Sequence, residues 1–198
     1  FTYPLIGNYG VPNSDFWESE KLQAAGVVTG TVSPWMSHWD AECRFLDWLK
    51  EQRAPLITGV DTRELTKVLR KYGVVSGAIV SQKKKVKTFI DLNETDLVGK
   101  VSLPDIEVFG SGPKTVIAVD CGMKRNILRC LTKWPLRVVR VPYNYDYTQD
   151  EYDALFVSNG PGDPAMCKET VKILQKALLR KKPTFGICLG AQLLALAI

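Results

Sequence analysis

From Val116 onward the sequence alternates short apolar runs with helix-forming segments, and this pattern constrains the fold of the 198-residue chain more than any other feature. Val116-Ile117-Ala118-Val119 is a continuous apolar strand, followed by a helix through Ile127, Leu128 and Leu131. Val138-Val139-Arg140-Val141 and Leu155-Phe156-Val157 are the next strands. Val171, Leu174, Ala177 and Leu178 then mark a helix, and Thr184-Phe185-Gly186-Ile187 leads into Cys188. Continuous apolar strands separated by helices belong to parallel sheets covered on both faces. In such open sheets the functional site lies beyond the carboxyl ends of the strands. The fold class expected is α/β.

The first half has a different texture. It opens with a turn-rich segment, Gly7 to Pro12, and has a short strand at Val27-Val28-Thr29. The spacing of Trp39, Cys43, Leu46 and Leu49 predicts a helix from Ser37. A second helix is predicted from Asp61, where Asp61 and Glu64 have the offset of a capping box and Gly73 supplies the stop. Its apolar stripe is Leu65, Val68, Leu69 and Tyr72. Ala78-Ile79-Val80 reads as a strand, and Phe109-Gly110-Ser111-Gly112-Pro113 reads as a linker. The expected organisation is a small N-terminal α/β domain over residues 1–112, then an open, mostly parallel sheet over residues 113–198.

Composition narrows the function classes. A hydrophobic fraction of 45% and a charged fraction of 24% are ordinary for a globular domain. No apolar run approaches the roughly 20 residues that cross a bilayer, so no membrane role is expected. The net charge is +5, with basic clusters at Lys83-Lys84-Lys85 and Arg180-Lys181. Aromatic residues do not interleave with them, which fits solvated surface rather than a nucleic-acid face. The five cysteines, Cys43, Cys121, Cys130, Cys167 and Cys188, are odd in number and scattered. They form no disulfide framework and no metal-ligand spacing, so no metal site is expected. A reducing compartment follows: the cytoplasm, with the mitochondrion open. The opening Phe1-Thr2-Tyr3-Pro4 reads as an internal stretch, and the apolar run Leu193 to Ile198 has no polar exit. Both ends are therefore expected to continue in a longer protein.

Chemistry concentrates in Gly186-Ile187-Cys188-Leu189-Gly190, a nucleophile-elbow pattern between a strand and a helix. A nucleophile on such a turn has a strained backbone, and side chains two residues before and after it would clash. Cys188 would stand at a helix N-terminus, where oriented N–H groups favour the thiolate. The N–H of Leu189 would point at an oxyanion. A small buried thiol is the bland alternative for Cys188, and the paired glycines argue against it. A second segment, Ser158-Asn159-Gly160-Pro161-Gly162-Asp163-Pro164, directly follows a strand. Its rigid turn can present backbone N–H groups to a ligand. Alone it is any strand-to-helix turn. It gains weight if its strand neighbours the Cys188 strand, since both loops would then open on one edge.

Phe185 to Gly190, continued by Gln192 to Leu196, together with Ser158 to Pro164, resembles the class I glutamine amidotransferases. More narrowly the chain resembles the small subunit, or glutaminase domain, of carbamoyl-phosphate synthetases, closer to eukaryotic fused forms than to separate bacterial subunits. Thr2 to Asn8, the Ser37-His38-Trp39 segment, Gly59 to Thr66, and Val119 to Gly122 with Lys124 and Asn126 carry that narrower match. The resemblance implies that Cys188 attacks the side-chain amide of L-glutamine and forms a glutamyl thioester. It implies an oxyanion hole from the backbone N–H groups of Leu189 and Gly160, and glutamine contacts from Gly160, Gly162, Leu189 and Gln192. The partner implied is an ATP-dependent synthetase, as a subunit or fused domain, which would hold ATP, Mg²⁺ and bicarbonate. No cofactor is expected in this chain.

Three departures from the family pattern stand out. Ala191 is often histidine there, and altered packing rather than lost chemistry is expected. A glutamine contact from before Phe1 is missing. The family's catalytic His and Glu lie far downstream of the cysteine, whereas ten residues follow Cys188 here. His38, the single histidine, is expected to cap a helix or fill a core rather than act as a base. This polypeptide alone is therefore expected to be inactive. Asp120 and Gly122 are expected to form a turn or cap, and Lys124 and Asn126 to touch the synthetase. Two other readings remain: a docking or regulatory module that does not hydrolyse glutamine, and an amidotransferase of another pathway.

Overall fold

The structure is a computed structural model that describes residues 1–80, 86, 88, 89, 91 and 94–198. The basic cluster Lys83 to Lys85 lies outside the described residues. The chain divides into two compact units, Phe1–Ile90 and Asp91–Ile198. This division differs from the boundary expected at residues 112 and 113. The reason is that residues 107–109 pair with the sheet of the second unit.

In the first unit β1 (Val27–Val28) pairs in parallel with β2 (Leu56–Ile57). Helix α1 (Phe45–Glu51) begins eight residues later than the Ser37 start that spacing predicts. The intervening residues make a turn, with the Ala41 N–H donating to the His38 carbonyl, and then a bridge: the N–H groups of Glu42 and Cys43 both donate to the Val11 carbonyl. That bridge to the opening turns wins over local helix propensity. Trp39 consequently stays 88% exposed instead of joining a helix stripe. Helix α2 (Thr62–Tyr72) begins where expected. The Asp61 carboxylate accepts from the Glu64 N–H at 3.0 Å, and Gly73 ends the helix with φ +77°. Its apolar stripe, Leu65, Val68, Leu69 and Tyr72, remains exposed among the described residues. Ala78 to Val80 is exposed and forms no strand, which corrects the sequence expectation; the Ile79 side chain instead lies against Gly26.

The second unit holds α3 (Val98–Val101), β3 (Glu107–Phe109), β4 (Lys114–Asp120), α4 (Arg125–Leu131), β5 (Leu136–Pro142), β6 (Ala154–Val157), α5 (Lys168–Leu178), β7 (Thr184–Gly186) and α6 (Leu189–Ala197). The sheet order is β3-β5-β4-β6-β7, with β3 antiparallel and the other pairs parallel. Successive strand residues point to opposite faces, so one continuous apolar run feeds two cores. Ile117 and Val119 of β4, with Leu155 and Val157 of β6, pack with Leu174, Ala177, Leu189 and Leu193 of α5 and α6. Val116, Ala118, Val138 and Phe156 face the other way, toward Ile127, Leu128 and Leu131 of α4. The α/β class with a mostly parallel, doubly covered sheet is what the sequence leads one to expect.

Topology fixes the site. The chain leaves β4 to form β5 on one side, then returns to form β6 on the other. The switch point is between β4 and β6, and open sheets of this class place their ligand crevice at the carboxyl ends of the strands there. The loop after β4 begins at Cys121, the loop after β6 at Ser158, and Cys188 follows β7 beside them. No helix among the described residues is long and apolar enough to cross a membrane.

Candidate active site

Cys188 caps the N-terminus of α6 with φ +52° and ψ −111°. A non-glycine residue there is strained, and such strain persists only when its surroundings enforce it. Two close approaches do so. A methyl group at Gly190 would sit 2.2 Å from the Val157 carbonyl oxygen, so α6 can start only by lying directly on the end of β6. A methyl group at Gly186 would sit 2.6 Å from the Gly190 carbonyl carbon. The Ile187 N–H donates to the Val157 carbonyl at 3.0 Å, and the Gln192 N–H to the Cys188 carbonyl at 3.1 Å. The thiol is left exposed at the head of a nine-residue helix.

β6 and β7 are sheet neighbours, with Val157 opposite Gly186. The condition under which the Ser158 to Pro164 loop gains weight is therefore met. Gly160 packs on the residue after the nucleophile: a methyl group there would lie 2.7 Å from Leu189 Cδ2 and 2.1 Å from the Cys121 carbonyl oxygen. Gly160 and Leu189 thus meet beside the turn after β4. Leu189 is buried, Gly160 half-buried, and Cys188 and Gln192 are exposed. Gly162, with φ +86°, packs toward Leu97 just before α3. Ala191 is exposed.

Asp120, fully buried, organises the turn after β4. Its Oδ1 accepts from the N–H groups of Gly122 at 2.7 Å and Met123 at 2.6 Å. Its Oδ2 accepts from Leu103 N–H at 3.3 Å and from Arg140 Nη2 at 2.5 Å. Arg140 Nη1 donates at 2.9 Å to Glu107 of β3. Four donors surrounding one carboxylate explain how a buried charge is tolerated. Asp120 and Gly122 are turn-forming, as their sequence suggests. Lys124 caps α4 with its backbone, and Asn126 is exposed.

The other thiols differ from Cys188. Burial pushes the Cys121 thiol up, with Cys167 and Asp120 adding to the effect. Cys167 is also raised by burial and then by Asp96 and Asp163. Cys43 is raised by burial and by Glu51, Asp47 and Glu42. Cys130 is exposed in the last turn of α4.

His38 is neither a helix cap nor a core residue. It is exposed, its Nδ1 accepts from the Asp40 N–H at 3.2 Å, and its ring stacks on Trp39. Sequence reasoning missed the α3 segment and the side chains of Ser158 and Asn159. A serine and an asparagine directly after a strand and before a glycine-proline turn were the available signal. A cavity of about 550 Å³ in the first unit, lined by Trp17, Phe45 and Trp48, contains none of the predicted site residues.

Comparison with known proteins divides the chain in a related way. Residues 1–79 match the family model "Carbamoyl-phosphate synthase small chain, CPSase domain", and residues 117–198 match "Glutamine amidotransferase class-I". The multifunctional protein CAD of Squalus acanthias is 42% identical over the whole chain, which spans 9% of that relative. The mitochondrial carbamoyl-phosphate synthase [ammonia] of Mus musculus is 40% identical over 98% of the chain, which spans 14% of that relative. The carbamoyl phosphate synthase arginine-specific small chain of Aspergillus oryzae is 40% identical over the full chain, which spans 48% of its length. The similarity to that small chain also covers the residues between the two matched segments. This chain belongs to the carbamoyl-phosphate synthase small-chain family, with its second unit in the class I glutamine amidotransferases.

Proposed function

We propose that Cys188 is the nucleophile of a glutamine-hydrolysing reaction that supplies ammonia for carbamoyl phosphate synthesis. The observation that carries this reading is the left-handed backbone of Cys188, φ +52°, enforced by glycines two residues to either side at a helix N-terminus. The thiolate attacks the carboxamide carbon of L-glutamine, forming the C–S bond and moving the carbonyl π pair onto oxygen. The N–H groups of Leu189 and Gly160 donate to that oxyanion. Collapse breaks the C–N bond as the nitrogen gains a proton and leaves as ammonia. Water then attacks the thioester, releasing glutamate and restoring the thiol. Gly160, Gly162, Leu189 and Gln192 hold the substrate.

Proton transfer needs a base that the 198-residue polypeptide does not supply, since its single histidine is His38. We therefore propose that turnover of glutamine belongs to the full-length protein, with the base supplied from outside these 198 residues. ATP, Mg²⁺ and bicarbonate are used by the synthetase partner, which receives the ammonia. We assign a cytoplasmic location, with the mitochondrion as the alternative because the mouse relative is mitochondrial by name.

The test is to quench the full-length protein with acid during turnover and map its cysteines by mass spectrometry. The expected result is a glutamyl adduct on the peptide containing Cys188. Active hydrolysis with adducts only elsewhere would overturn the assignment. One observation favours a second reading, a docking module without hydrolysis: several relatives carry "[ammonia]" in their names. Under that reading the full-length protein forms no adduct and releases no glutamate.

A further inference from the structure

We propose that Asn159 is a positioning residue that aims the Gly160 N–H at the oxyanion; this rests on the reading of Cys188 given above. The loop after β6 has no ladder to hold it, and at Asn159 it is fastened sideways to the turn after β4. Asn159 Nδ2 donates to the Gly122 carbonyl at 3.3 Å, and its Oδ1 accepts from the Lys124 N–H at 3.2 Å. One planar carboxamide thus engages an acceptor and a donor on the same turn, which fixes both its position and its orientation. Ser158, fully buried, adds a third tie: its hydroxyl oxygen accepts from the Cys121 N–H at 2.9 Å.

The turn being gripped is itself rigid. The Asp120 carboxylate holds the N–H groups of Gly122 and Met123, and Arg140 holds the carboxylate. Gly160 then sits against the Cys121 carbonyl so closely that even a methyl group would be 2.1 Å from the oxygen. The next peptide after Asn159 is therefore clamped between the gripped turn and Leu189. A donor in an oxyanion hole is effective only if it is aligned before charge develops. Asn159 touches neither thiol nor substrate in this account; it acts through Gly160.

The experiment uses the full-length protein and two probes of Cys188. A glutamine analogue with an aldehyde in place of the carboxamide adds the thiol as a hemithioacetal. That forms the C–S bond and a tetrahedral oxygen that the hole must hold. With iodoacetamide the thiolate sulfur displaces iodide from the reagent's CH₂ carbon, forming a C–S bond without building an oxyanion. Asn159→Ala is expected to lower glutamine-dependent kcat and weaken aldehyde binding by about 10- to 100-fold, the scale on which misplaced groups act. KM for glutamine should change less than about threefold, the iodoacetamide rate should hold, and ammonia-dependent synthesis should remain. Should Asn159→Ala fail to fold, Asn159→Asp keeps the shape and the Lys124 bond, loses the donor to Gly122, and is read the same way. Unchanged aldehyde binding overturns the proposal. So does an equal loss of iodoacetamide reactivity, which would mean collapse of the elbow. Full glutamine-dependent activity in Cys188→Ser would instead overturn the underlying reading, whatever Asn159 does.

Discussion

Cys188 and Cys130 are both exposed thiols on helices, and they stand at opposite ends of them. Cys188 precedes the first turn of α6, where N–H groups point outward. Cys130 lies in the last turn of α4, where carbonyls do. The two exposed thiols therefore stand beside opposite ends of the backbone hydrogen-bond array. Cys121 and Cys167 are buried, and Cys43 faces three acidic residues. Labelling the folded protein at neutral pH with a limiting electrophile should therefore mark Cys188 first. Preferential labelling of Cys130 or Cys43, with Cys188 untouched, would contradict this. The elbow was legible from the sequence because its glycines answer to local contacts that any such turn must make. The grip of Asn159 on the turn after β4 was not. It depends on β4 and β6 being neighbours, and no local spacing records that.

Among the elements, the strands at Val116, Val138 and Leu155 announced themselves because doubly covered strands are continuous apolar runs. β3 did not. It is three residues long, Val108 is 51% exposed, and its flanking glycines and serine look like a linker. Its place comes from pairing with β5 and from Arg140 reaching Glu107. The start of α1 is likewise set by a non-local contact, since the Val11 carbonyl draws residues 42 and 43 out of helix. The registry of β4 with β6 has its own lock. Asp153 Oδ1 accepts from Lys114 Nζ, and Oδ2 from the Thr115 N–H, each at 2.8 Å. The Lys114 bond first, and the Thr115 bond second, hold this carboxyl below its ordinary value. A lowered carboxylate stabilises the fold above that ordinary value and loses the contribution as pH falls through the lowered one. In urea unfolding, the stability gap between wild type and Asp153→Asn should be full above about pH 4 and shrink below it. A gap of constant size down to pH 2.5 would show that the carboxylate is not what matters. Because the pair is solvent-exposed, the gap itself should be small.

At the scale of the whole molecule, the function proposed above is a division of labour: the full-length protein frees ammonia through Cys188, and an ATP-using synthetase consumes it. The two family matches and roughly 40% identity over the chain place it among relatives that include a carbamoyl phosphate synthase small chain. Cys188 then links the two activities, because its loss should cut off one nitrogen source and leave the other. The direct measurement is a paired assay of the full-length protein, wild type against Cys188→Ser, with glutamine or ammonium as nitrogen donor. Serine preserves the size of the side chain and both elbow glycines, so the fold should persist. Nucleophile and base act as a unit, so loss of the thiol should cost at least about a thousandfold rather than one binding contact. Glutamine-dependent carbamoyl phosphate formation should fall to background while synthesis from ammonium continues at the wild-type rate. Retention of full glutamine-dependent activity by Cys188→Ser would contradict the account.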